Sequence, residues 1–88
     1  MNDTKPVIPI IHLNGTSREA LINLRFDYLH KLDEARKALV EMAPHGRDYY
    51  LIPGLYELAR EQHLRRINAI CALLEDIEAE ILALQALP

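Results

Sequence analysis

The stretch that decides the fold is His63–Leu84, HLRRINAICALLEDIEAEILAL. His63, Ile70, Ile77 and Leu84 recur every seven residues, and Ile67, Leu74 and Ile81 fall between them. At 3.6 residues per turn this alternating spacing places the apolar side chains on one stripe of a helix, the pattern of a helix packed against other helices. Leu64, Cys71, Leu73 and several alanines make the stripe wider than one two-stranded seam fills. The spacing predicts a helix over about 55–87, close to 50 Å long at about 1.5 Å per residue.

Upstream lies Ala43–Gly54, APHGRDYYLIPG. It is longer than the roughly 2–8 residues that usually join paired helices. A first helix is predicted over about 17–42. Leu21, Tyr28, Ala35 and Met42 recur every seven residues, Leu32 and Leu39 fall between them, and Arg25 interrupts the second series one heptad before Leu32. Pro44 and Gly46 stop this helix. Its start follows Asn14-Gly15-Thr16-Ser17, where Thr16 and Glu19 have the spacing of a capping box. Pro6–Leu13, PVIPIIHL, combines β-branched residues with two prolines and reads as an extended arm with edge-strand character. Met1–Lys5 is polar and expected to fray. The expected architecture is all-α: an antiparallel hairpin of two long helices (residues 17–88) behind an extended N-terminal arm and capping turn (residues 1–16).

The chain has 88 residues, half of them hydrophobic, which bounds it to one domain and argues against disorder. Four tyrosines and one phenylalanine are its only aromatic residues, so Leu, Ile and Ala must build the core. A domain this small buries only about 60% of its unfolded surface and needs help from disulfides, metals or assembly. Cys71 is the single cysteine, which excludes an internal disulfide; its apolar setting suggests a buried, inert thiol. Assembly into an oligomeric helical bundle is the remaining help, with the chain itself as partner. The second helix supports this: Arg60, Arg65 and Arg66 occupy its first half, and Glu75, Asp76, Glu78 and Glu80 its last. An antiparallel copy would set basic against acidic halves, whereas a lone helix would carry a solvated charged face.

A net charge of −3 gives no support for binding a nucleic acid polymer. The apolar run Val7–Leu13 is too short for a membrane span and contains Pro9, which points to a cytoplasmic protein. His12, His30, His45 and His63 lack metal-ligand spacing, and no nucleophile, acid–base pair or glycine-rich phosphate loop stands out. No metal, cofactor or enzymatic activity is expected. His30, between Asp27 and Glu34, suits a surface hydrogen-bond cluster, and His63 falls on the heptad seam.

Two polar stretches invite a ligand. His12, Asn14, Thr16 and Ser17 gather hydroxyls and free N–H groups at a positive helix end, which suits an anion or simply caps the helix. Arg47, Asp48, Tyr49 and Tyr50 offer a guanidinium fork for phosphate or carboxylate and flat rings for stacking. Alternatively, Asp48 caps a turn and the tyrosines plug the hairpin end. In an antiparallel hairpin the two stretches lie nearly 40 Å apart, by about 1.5 Å per residue. They can share a pocket only between subunits, or if the arm folds back along the bundle.

HLNGTS opening a helix, followed by the P-x-G-R-D-Y-Y loop and a second long helix, resembles a group of short uncharacterised proteins of tailed phages and prophages, from Ile11 to about Leu84. Other small helical phage proteins are oligomeric sponges that hold cyclic nucleotide immune signals between subunits. By that likeness, Asn14, Thr16 and Ser17 would contact phosphate or ribose, Arg47 would pair with a phosphate, and Tyr49 or Tyr50 would stack on a base. The resemblance implies a phage accessory protein that binds a small anionic ligand such as a cyclic nucleotide or an ADP-ribose derivative. The alternative is a helical inhibitor or adaptor of a host protein, with the arm adding to a sheet edge.

Overall fold

The computed structural model describes residues 5–88, and the fraying expected of Met1–Lys5 lies, but for Lys5, outside them. Two helices, α1 (Arg18–Glu41) and α2 (Leu55–Gln85), form an antiparallel hairpin, and no strand forms among the described residues. With their caps, both helices agree with the predicted bounds to within one or two residues. Arg18 Nη2 donates to the Pro88 carbonyl at 2.7 Å, which ties the start of α1 to the end of α2.

The first helix begins one residue later than its capping box implied. Ser17, not Thr16, is the N-cap: its backbone is extended (φ −66°, ψ 157°) and its Oγ accepts from the Ala20 N–H at 3.1 Å. The residue three places on from Ser17 is alanine, so no carboxylate returns the bond. Glu19 still lies in the first turn, where the helix dipole favours an acid.

The connection builds its own structure. A turn of 3-10 helix spans Gly46–Asp48, and its cap is His45, whose Nδ1 accepts from the Arg47 N–H at 3.2 Å. The turn-capping role considered for Asp48 therefore belongs to His45. Tyr49 packs on Tyr56 with ring centroids 6.4 Å apart, at an angle that avoids face-to-face repulsion. Gly54 turns the chain into α2 with φ +83°, a conformation that costs other residues roughly 1–2 kcal/mol.

The predicted stripe of α2 is the face turned inward. His63, Ile67, Ile70, Leu74 and Ile77 are half-buried, and Ile81 and Leu84 are buried, Leu84 completely. On α1 only one of the two predicted series faces inward. Arg25, Leu32 and Leu39 are half-buried together with Ile22, Leu29 and Arg36. Tyr28, Ala35 and Met42 lie exposed on the flank, with Leu21 at the border between the two faces. Arg25 is a member of the seam: its Nε donates to Glu80 Oε1 at 2.8 Å, which gives its charge a partner on α2.

The hairpin is elongated, 63 × 25 × 17 Å, with a radius of gyration of 18.5 Å. A compact chain of this length would have a radius of about 12 Å. The accessible surface is 7028 Å², about a third above the roughly 5,300 Å² of a folded monomer of this mass. Two helices cannot enclose a core, and only Ile81 and Leu84 are buried among the described residues. No helix is long and apolar enough to cross a membrane.

Candidate functional site

At the end where Arg18 meets Pro88, the HLNGTS stretch forms a tight turn closed by the Gly15 N–H donating to the His12 carbonyl at 3.1 Å. The His12 ring lies over Gly15, where a Cβ would come within 2.6 Å of Nε2, so glycine is what permits that approach. Ser17 spends its hydroxyl on the cap and is structural. Asn14 and Thr16 are exposed, and neither side chain takes a hydrogen bond among the described residues. Arg18 adds a guanidinium beside them, though its carbonyl bond already engages one nitrogen.

At the other end the GRDYY loop divides its labour. Tyr49 is half-buried against Tyr56 and anchors the loop. Arg47 and Asp48 are exposed, and neither forms an ion pair among the described residues. Tyr50 is 74% exposed and begins an exposed apolar run with Leu51 and Ile52. An exposed guanidinium and an exposed aromatic ring three residues apart on one loop are groups that can contact a phosphate and a flat ring.

The fold keeps these ends apart. The 24 residues of α1 separate them by about 36 Å. The arm does not bridge the gap: Ile8–Ile11 line a hollow with Arg18, Leu87 and Pro88, at the end that already holds HLNGTS. Within one chain the two candidate stretches form no common pocket.

Sequence reading missed an open groove of about 580 Å³ between the helices, lined by Phe26, Leu29 and Leu74 and by the polar groups of His30, Asp33 and Arg36, with Cys71 at its wall. Asp33 Oδ1 accepts from both Arg36 Nε (3.0 Å) and Nη2 (2.9 Å), and Lys37 Nζ lies 3.6 Å from Oδ2. The Arg36 hydrogen bonds, aided by the charges of Arg36 and Lys37, hold the Asp33 carboxyl below the usual aspartate range. The i, i+3 and i, i+4 spacing of Asp33, Arg36 and Lys37 was the available signal. Cys71 is half-buried, not buried as expected. His30 lies 3.6 Å from Glu34 at the surface, but Asp27, the other member of the cluster its spacing suggested, bonds Lys31 instead. Among the described residues no three His, Cys, Asp or Glu side chains are placed to hold a metal ion. No family model, curated protein or solved structure matches the chain.

Proposed function

We propose that this chain is a non-enzymatic, oligomeric helical binder of a small anionic, nucleotide-derived ligand. The observation that carries this reading is the hairpin tip. Tyr49 is committed to Tyr56, while Arg47 and the 74%-exposed Tyr50 are not used by the fold. A cation and a ring held on a short structured loop supply the two contacts that a nucleotide needs. Asn14 and Thr16 are equally unused at the other end and suit ribose or phosphate oxygens. The setting, a phage or prophage accessory protein that sequesters a bacterial antiviral signal in the host cytoplasm, rests on the HLNGTS and GRDYY resemblance and on likeness in size and helicity. A thermal-shift screen with cyclic dinucleotides and ADP-ribose derivatives tests the reading. A binder gains melting temperature from one of them and releases it intact on denaturation, and Arg47→Ala removes the gain. A screen without any shift refutes the reading.

One observation favours a second reading, a protein–protein adaptor. Leu51 is 80% and Ile52 59% exposed beside Tyr50, an apolar tip of the kind that docks on a host protein. Capture of a single host partner that survives Arg47→Ala but is lost in the Leu51→Glu, Ile52→Glu double variant would support the adaptor over the ligand binder.

A further inference from the structure

The outer flank of α1 carries a second heptad seam that the hairpin leaves uncovered. Leu21, Leu24, Tyr28, Lys31, Ala35, Ala38 and Met42 follow one another in unbroken 3-4 spacing. Leu24 and Met42 are each 64% exposed and Tyr28 is 44% exposed, while Ala35 and Ala38 are exposed as well. This periodicity suits a helix packed alongside, because 3-4 spacing over three heptads keeps one stripe facing a neighbour.

We propose that the occupant is α1 of a second copy, running antiparallel about a two-fold axis close to Lys31. One feature of the seam selects this arrangement and a second is compatible with it. Between Leu24 and Ala38 its large residues precede its small ones, so an antiparallel pairing sets Tyr28 against Ala35 and Leu24 against Ala38 of the second copy, with Leu21 facing Met42 at the ends. A parallel pairing would instead stack Ala35 on Ala35 and Ala38 on Ala38 and leave voids there. The central Lys31 also comes to lie among the acidic flank of the other copy, Asp27 and Glu34, which offsets the approach of the two ammonium groups. Lys31 already shows its reach, with Nζ 3.1 Å from Asp27 Oδ2 of its own helix. The surface excess of about a third over a compact monomer is larger than the roughly 800 Å² per partner that a standard interface covers.

The register has a consequence for the ends. Extending it by one turn brings the Thr16 region of one copy level with the Arg47 loop of the other, so the polar stretches that one chain holds apart would meet at both ends of the dimer. This last step rests on the ligand reading above; the pairing of α1 does not.

Cysteine cross-linking in the full-length chain tests the register. In a Cys71→Ser background, chains with Tyr28→Cys are mixed with differently tagged chains carrying Ala35→Cys and mildly oxidised. The mixed disulfide should be the dominant product, because only facing positions approach within the ~7 Å Cα separation that a disulfide spans. Leu21→Cys mixed with Met42→Cys should behave alike. Light scattering should give at least a dimer for the parent chain and a smaller mass for Leu24→Glu, with helical circular dichroism retained. A monomeric parent overturns the proposal, as does Ala35→Cys linking to itself as readily as to Tyr28→Cys. Cross-linking without any nucleotide shift leaves the register standing and removes only the ligand.

Discussion

Arg25 and Glu80 join the two helices through a 2.8 Å hydrogen-bonded ion pair whose side chains are only about one-fifth exposed (21% and 22%). Arg25 also donates from Nη1 to the Leu21 carbonyl at 3.0 Å, so the guanidinium is held from both sides. A pair this sheltered lies between surface bridges, which contribute about 0–1 kcal/mol, and fully buried ones, whose breakage costs about 3–5 kcal/mol. Arg25→Met should therefore lose about 1–2 kcal/mol in urea unfolding at fixed protein concentration, because it strands the Glu80 carboxylate. The Arg25→Met, Glu80→Met double variant should recover most of that loss. A double variant as unstable as the single would show that the pair contributes more than its own desolvation.

The cap at the start of α1 separates two neighbouring hydroxyls. Ser17→Ala should cost about 1 kcal/mol, the usual effect of removing an N-cap oxygen. Thr16→Ala, which removes no bond seen here, should change the thermal midpoint little. Equal losses at both positions would mean that the cap had shifted in solution.

Acid should act on the groove between the helices. The Asp33 carboxyl is held below its ordinary range chiefly by hydrogen bonds from Arg36, so its folded pKa lies under its unfolded one. A depressed carboxylate contributes stability that is present above the unfolded pKa and disappears as pH falls through the folded value. Asp33→Asn should therefore flatten the pH dependence of stability at and below the aspartate range and leave it unchanged near neutrality. Because the group is solvent-screened, 1 M salt should shrink the difference between variant and parent. A parent and variant with identical acid profiles would contradict this.

Complementation addresses the site that two copies would share. Thr16→Ala and Arg47→Ala chains should each lose the ligand-induced thermal shift. Mixed dimers of the two contain one site with both substitutions and one with neither, so mixing after co-unfolding and refolding should restore up to half the binding capacity of the mixed population. No recovery, with mixed dimers verified by tag capture, would place the two residues in separate sites.

The sequence made α2 legible because one unbroken stripe served one purpose, and its heptad residues from Ile67 to Leu84 face inward as the spacing required. The first helix was harder. It carries apolar residues on two adjacent stripes, and spacing alone does not say which one meets α2. Arg25 looked like a defect because its partner, Glu80, lies 55 positions away in sequence. The cap was read one residue early because Thr16 offers the box pattern, yet the serine beside it has the extended backbone that a cap needs. At the tip, Tyr49 and Tyr50 are indistinguishable as residue types, and only the position of Tyr56 separates the anchoring ring from the free one.

The two buried residues among those described, Ile81 and Leu84, sit in the last turns of α2, close to where Arg18 holds the Pro88 carbonyl. The hairpin is thus clasped most firmly at the end that the peptide chain does not close. At the loop end, joined by covalent bonds, no described residue is buried. Such a molecule is built like tweezers pinned at the handle, and its tip is expected to open at a lower cost than the far end, which keeps the two arms in register.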